Sequence, residues 1–307
     1  MTGGSGAAPT VVPAFQPDYD LRARAVTAAG GLQCSWRAGT APADDFAYEG
    51  DWAYFWVDIL PNAADVYHPV QLGDAPTTQT KAFGSVTASA TCGDPGCEAS
   101  AVINDAWVAV RVNAAGWNSD RSIYVGIGES LLDHVAPAIT DVFAAVGAAA
   151  PEQLGTAPPT ASPAPSTAVG GCESFLPATL LASTLGANSA TYVAEKGADT
   201  PNTPTDAAIP RAGLLICAAE VADQASVGFF IAPQRADLVT DQISTIELTA
   251  GLADAALPGA LPDEKAVSDC PGQYTCSELF TMGGSGFSII HQPHADAIAA
   301  AIIARAR

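Results

Sequence analysis

Phe55-Trp-Val-Asp-Ile-Leu-Pro-Asn-Ala-Ala-Asp65-Val66 decides how this chain is built, because it returns 172 positions later as Val227-Gly-Phe-Phe-Ile-Ala-Pro-Gln-Arg-Ala-Asp237-Leu238. Both copies read Ile-x-Pro-x-x-Ala-Asp, so that Ile59, Pro61, Ala64 and Asp65 fall on Ile231, Pro233, Ala236 and Asp237. The cysteines repeat as well. Cys92-Gly-Asp-Pro-Gly-Cys97 answers to Cys270-Pro-Gly-Gln-Tyr-Thr-Cys276, and Gly31-Leu-Gln-Cys34 answers to Gly213-Leu-Leu-Ile-Cys217. A duplicated domain follows, and 307 residues with 49% apolar content can supply two ordinary cores.

Within the quoted stretch the pattern is that of a strand. Phe55, Val57 and Ile59 lie on one face, and Trp52, Tyr54, Trp56 and Asp58 on the other. The first face is matched by Val227, Phe229 and Ile231, which marks it as the core face in both copies. Pro61 and Pro233 then suit the first turn of a helix, long in the second copy and cut short at Tyr67-His-Pro69 in the first. Paired strands at Glu98–Ile103 and Trp107–Val112 share the turn Asn104-Asp105, and their counterparts flank Gly283-Gly284. Helices over Leu131–Val146 and His294–Arg305 close the two copies, the first with Asp120 as a candidate cap upstream.

The predicted fold class is α+β, two tandem similar domains, each an antiparallel sheet covered by helices on one face. The boundaries are 1–147 for the first repeat, 148–171 for a Pro/Ala/Thr/Ser-rich linker of polyproline character, and 172–307 for the second repeat. Counting 33 residues back from Cys217 reaches a helical run at Thr184, whereas the same count from Cys34 reaches Met1. The first copy is therefore read as lacking its opening helix and opening cysteine. Two readings of Cys34 stand: an unpaired thiol, or a partner for an eighth cysteine upstream.

Seven cysteines show no zinc-type interleaving with the four histidines, so neither metal nor cofactor is expected, and disulfides are. Cys92 with Cys97, Cys270 with Cys276 and Cys172 with Cys217 are the expected pairs. That places the mature protein extracellularly or at the cell envelope, although no signal sequence is visible and no run of apolar residues is long enough to span a bilayer. The formal charge of −20 repels phosphate backbones and anionic lipid, excluding nucleic acid as a partner. An unknown envelope ligand or protein partner is the expectation, with the chain itself a monomer.

Trp52, Tyr54 and Trp56 are the ligand-binding candidates, since the second copy has Ser226 and Gly228 opposite the last two; such a row is either a platform for a ligand or a covered face. No catalytic residue is named. His134 and His294 read as surface histidines, Asp65 and Asp237 as helix-start carboxylates, and Asp18, Asp20, Asp44 and Asp45 as solvated loop acids with weak calcium potential. Gly283-Gly-Ser-Gly286 lacks the second glycine spacing of a nucleophile elbow and reads as a hairpin turn.

With Cys172, Cys217 45 residues on, and the triplet Cys34-Ser-Trp36, the two domains resemble exported actinobacterial lipoprotein-type domains of unknown function. The resemblance implies a place at the cell envelope and no reaction. The functional expectation is an exported binding or interaction protein without catalytic activity, with two alternatives: a secreted hydrolase acting through unidentified carboxylates, or a spacer or adhesive surface protein.

Overall fold

A computed structural model describes residues 10–12, 21–39, 52–69, 78–93, 96–114, 130–155, 168–193, 201–245, 253–269 and 276–306. The first half contains β1 (Thr10–Val12), α1 (Ala25–Ala28), β2 (Leu32–Ala38), β3 (Ala53–Leu60), β4 (Gln79–Phe83), β5 (Val86–Gly93), β6 (Gly96–Ile103), β7 (Ala106–Ala114) and α2 (Leu131–Ala148). The second contains α3 (Ala168–Phe175), α4 (Ala178–Thr184), β8 (Ala190–Val193), α5 (Pro204–Arg211), β9 (Leu215–Val221) and β10 (Val227–Ala232). It continues through α6 (Ala236–Thr245), β11 (Ala253–Asp254), β12 (Ala266–Asp269), β13 (Cys276–Met282), β14 (Ser285–Gln292) and α7 (Ala295–Ala306).

Each half forms one seven-stranded antiparallel sheet, in the orders β1-β2-β3-β7-β6-β5-β4 and β8-β9-β10-β14-β13-β12-β11. The strands correspond one to one along these two orders, and the ladders agree residue by residue. Cys34 pairs with Val57 and Ile59 with Val108 in the first sheet; Cys217 pairs with Phe229 and Ile231 with Phe287 in the second. Even the strained turn positions recur. Asn62, Asn104, Asp105 and Gly30 have φ of 51°, 50°, 63° and 85°, and their counterparts Gln234, Gly283, Gly284 and Gly213 have 57°, 56°, 82° and 70°. A left-handed residue in the same places of both copies means that the chain reversals, not only the strands, were duplicated.

The duplicated α+β architecture is therefore as the sequence implies, and the outer face of each sheet carries the expected helices. Phe55, Val57, Ile59, Val108 and Val110 pack under α2 through Leu131, Val135, Ile139 and Phe143. Val227, Phe229, Ile231, Phe280 and Phe287 pack under α3, α4 and α7. α2 is capped by Ser130, whose side chain accepts from the Asp133 amide; Asp120, the cap expected from the sequence, lies outside the described residues. By length and composition this 18-residue helix could cross a bilayer, yet its apolar residues face the sheet, as those of a core helix do.

What the alternation does not announce is that the inner faces are covered too. A third core joins the halves: Leu21, Ala25, Val26, Leu60 and Trp107 pack with Ala208, Ile209, Phe230, Val239 and Leu279. α1 lies against α5, and α5 crosses β3 and β7 of the first sheet. Polar clasps fix the arrangement. Arg24 Nε donates to the buried Gln242 Oε1 at 2.6 Å, and Arg211 donates to the carbonyls of Pro61 and Asn62 at 2.9 and 2.8 Å.

Two local expectations change. Pro233 does not open α6; it precedes a left-handed turn at Gln234, and the helix starts at Ala236. The segment read as a linker from residue 148 is packed at its start, with Leu154 buried in the first core, and its far end belongs to α3. Close approach leaves no room at Gly31, where a Cβ would run into the Ile59 carbonyl and the Val26 side chain. Gly31→Ala is expected to cost about 1–3 kcal/mol by pushing β2 off β3; an unchanged thermal midpoint would contradict that packing.

Candidate functional site

The inner face of the first sheet is where charge is buried. Strand alternation sets Gln33, Asp58, Trp56, Arg111, Glu98 and Ser100 on that face, side by side across β2, β3, β7 and β6, through the pairs Gln33 with Asp58, Trp56 with Arg111 and Glu98 with Arg111. Arg111 donates from Nε to Glu98 Oε2 at 2.6 Å and from Nη2 to the same oxygen at 2.5 Å. Its guanidinium also lies 5.1 Å from the Trp56 ring centroid, within cation–π range. Gln33 donates to Asp58 Oδ1 at 2.9 Å. From the second half, Asp206 of α5 comes close enough to influence both Glu98 and Arg111.

Burial dominates the electrostatics. It pushes the Asp58 carboxyl up to about 6, against the pull of Gln33 and Arg111. Burial also raises the Glu98 carboxyl, opposed by the Arg111 ion pair. Burial by itself would lower Arg111, but Glu98, Asp58 and Asp206 outweigh it and hold the guanidinium charged. Among the described residues, the buried atoms Glu98 Oε1, Ser100 Oγ and Trp107 Nε1 on this face have no hydrogen-bond partner.

The same positions in the second sheet are largely apolar. The shared register places Ile216 where the first sheet has Gln33, Phe230 where it has Asp58, Leu279 where it has Ser100 and Ile290 where it has Arg111. Ser277 stands at the Glu98 position, Gly228 at the Trp56 position. One fold thus builds this face both ways. An apolar replacement of a buried ion pair is commonly neutral or stabilising, so the fold by itself gives no reason for the charges of the first half.

Trp52, Tyr54 and Trp56 do lie together on this face, as alternation demands, but they are buried, with Tyr54 at 1% exposure. They are not an open platform. They form a buried cluster of their own on β3, a strand that α5 of the second half also packs across. Trp107 is fully buried and Trp36 half-buried at the core edge, where it meets Phe55.

Cys92–Cys97 and Cys172–Cys217 are disulfides, and Cys276 is disulfide-bonded as well. Its expected partner Cys270 lies outside the described residues, as do Asp18, Asp20, Asp44, Asp45 and Trp117. Cys34 is free and exposed, at the register position that Cys217 fills in the second half. Partial desolvation against the strand and the nearby Asp58 charge push its thiol up, so little of it is nucleophilic thiolate at neutral pH. Asp65 is exposed beside Arg211, and Asp237 sits in the first turn of α6, held by Arg235. His68 and His294 are exposed and His134 is half-buried. Ser285 opens a hairpin strand and accepts from the Gln234 amide.

Glu98, Arg111 and Ser100 were not singled out from the sequence, nor was Glu278, a buried carboxyl on the outer face of the second sheet, near Asp296 of α7. The signal was present in the strands themselves: Val108-Ala-Val-Arg111-Val carries one charge in an apolar run, and so does Cys97-Glu98-Ala. Among the described residues no group of three or more His, Cys, Asp or Glu side chains is placed to hold a metal ion. Comparison with protein-family models, with curated proteins and with solved structures gives no match.

Proposed function

We propose that the chain is an exported, non-catalytic binding or interaction protein that works outside the cytoplasm, at the cell envelope. The observation that supports it most is the divergence of two otherwise equivalent faces. The second half has made its inner face into plain core, whereas the first has kept a carboxylate–guanidinium cluster that its fold does not require. Disulfides in both halves favour an oxidising compartment, and the resemblance to lipoprotein-type domains points to the envelope. The burial of Tyr54 and Trp56 removes the open-platform form of this reading and leaves the polar cluster to support it.

A hydrolase is the second reading, favoured by one observation: Asp58 and Glu98 are two buried carboxyls with raised proton affinity, as acid–base catalysis uses. Turnover of envelope polymers that disappears in Asp58→Asn would replace the binding reading with that one.

Fractionating the source cells with an antibody to the chain tests the compartment. The protein is expected in the envelope or the medium, with one alkylatable thiol, Cys34, before reduction and all seven after it. A cytosolic protein with seven reduced thiols would end the proposal.

A further inference from the structure

We propose that the cleft between α3, α7 and the β13–β14 hairpin of the second half binds a small amphiphilic carboxylate, an apolar body carrying one negative group. The cleft has a volume of about 540 Å³, within the roughly 300–1,000 Å³ of small-molecule sites. Its apolar wall is Phe175 of α3, Met282 of β13 and Ile302 of α7. Its rim is Gln234, Gly283 and Arg305, all three exposed, so the way in is open. The site lies apart from the charged face of the first sheet and does not rest on the compartment proposed above.

The duplication shows that this room is not a requirement of the fold. Gly283 answers to Asn104, and in the first half the Asn104 side-chain amide donates to the carbonyls of Val146 and Gly147 at 3.2 and 3.1 Å. That ties the hairpin to the end of α2, the helix that corresponds to α7, and buried Leu154 joins Ile103 and Val146 in the core there. In the second half the same left-handed position, with φ of 56°, is a glycine, and a Cβ built on it would meet nothing within 4 Å. One copy closes this corner with a side chain; the other leaves it open.

Charge selects the ligand. Lys81, Arg111, Arg211 and Arg235 each lie beside a carboxylate. Arg305 does not: its Nε donates to the Ser174 carbonyl at 3.2 Å, and among the described residues it makes no ion pair and no other hydrogen bond. Glu264 reaches the same hairpin, but its two oxygens accept from the amides of Leu261 and Gly283 at 2.7 and 3.1 Å. A guanidinium with both terminal nitrogens to spare suits a carboxylate, which it grips through two parallel hydrogen bonds. The Gln234 backbone amide is taken by Ser285, whereas its side-chain amide has no partner among the described residues and adds a donor at the rim. A cation would be repelled by Arg305, and a wholly polar molecule would leave Phe175, Met282 and Ile302 without an apolar partner.

The test is titration of the full chain with octanoate, a free alkyl acid, and with N-acetyl-leucyl-leucine, which presents the same chemistry as the end of a peptide. Binding is followed by calorimetry and by NMR of methyl-labelled methionine; the chain has two methionines, so Met282 reports on the cleft and Met1 is the control. At least one of the two acids is expected to bind saturably with Kd of about 1 mM or tighter and to shift the Met282 signal alone, and the tighter of the two names the source. Octylamine, which lacks the carboxylate, and acetate, which lacks the apolar body, are expected to bind at least about tenfold more weakly. Arg305→Gln removes the charge, keeps a donor for the Ser174 carbonyl and is expected to weaken binding by about tenfold or more. Gly283→Asn gives the turn the residue of the first half, at a φ that Asn104 already adopts, and is expected to weaken binding by a similar factor with an unchanged melting curve. Should Arg305→Gln loosen α3, Gly283→Asn gives the same reading. No saturable binding of either acid by about 10 mM, octylamine binding as tightly as octanoate, or binding indifferent to both variants would each overturn the proposal. An exported protein that binds neither acid loses this inference alone; a cytosolic one that binds octanoate at Met282 loses the compartment and keeps the site.

Discussion

Replacing Cys172 with alanine lowers the unfolding free energy of the second half by about 4 kcal/mol, the loop-closure value for its disulfide to Cys217. The two residues are 45 apart, so the bond removes far more freedom from the unfolded chain than Cys92–Cys97, whose partners are 5 apart and whose loss costs about 2 kcal/mol. In the folded state the long bond pins α3 to β9, with both sulfurs buried. An eight-residue helix has little stability of its own, and α3 is otherwise held by packing on β8, β9 and α7, with Phe175 edge-on to Phe287 and Arg305 bonded to the Ser174 carbonyl. Reduction should therefore detach α3 before the sheet melts, visible as hydrogen exchange in residues 168–175. Cys34→Ser supplies the control, because an exposed thiol at the matching register changes stability by no more than about 0.5 kcal/mol. A Cys172→Ala variant within 1 kcal/mol of the parent, measured by chemical denaturation, would show that the helix is held by packing and not by the bond.

What could be read from the sequence was local and repeated. The strand Ala53–Leu60, the turn at Asn104-Asp105 with its twin at Gly283-Gly284, and the cysteine spacings all recur, so two copies constrain each reading. Parity along one strand also put Trp52, Tyr54, Trp56 and Asp58 together on a face. Whether that face was wet was not legible, because an antiparallel sheet ordinarily leaves one side to solvent and nothing near residue 55 reports on α5, about 150 residues away. The ion pair escaped for a similar reason. Glu98 and Arg111 are thirteen positions apart, and they meet only through the pairing of β6 with β7. The second copy held the clue: Phe230 stands at the Asp58 position, and a charged strand residue that its duplicate replaces with an aromatic one is a departure from what the core demands.

Lowering the pH from 8 to 5 should stabilise the protein, against the usual expectation for an acidic chain whose carboxylates are paired. Asp58 and Glu278 are the cause. Burial pushes the first from its ordinary 3.8 up to about 6, and burial with the Asp296 charge pushes the second from 4.5 up to about 7. A carboxyl whose folded pKa lies above its unfolded one binds protons more tightly when folded. Its stabilising effect is complete below the unfolded value and is lost as pH rises through the folded value. The loss therefore runs from about pH 4 to 7 and is on the order of 3 kcal/mol for each group. Both side chains are nearly inaccessible, and one Glu278 oxygen has no hydrogen-bond partner, so solvent does little to soften the cost of the charge. Relief of general repulsion at net charge −20 acts in the same direction, and the variants separate the two. Asp58→Asn and Glu278→Gln each remove one charge of many, yet each should raise stability at pH 8 by roughly 1–3 kcal/mol and flatten its share of the profile. The denaturation midpoint of the parent should fall from pH 5 to pH 8; a midpoint that rises, or a double variant whose profile is as steep as the parent's, would mean that neither carboxyl holds its proton as described.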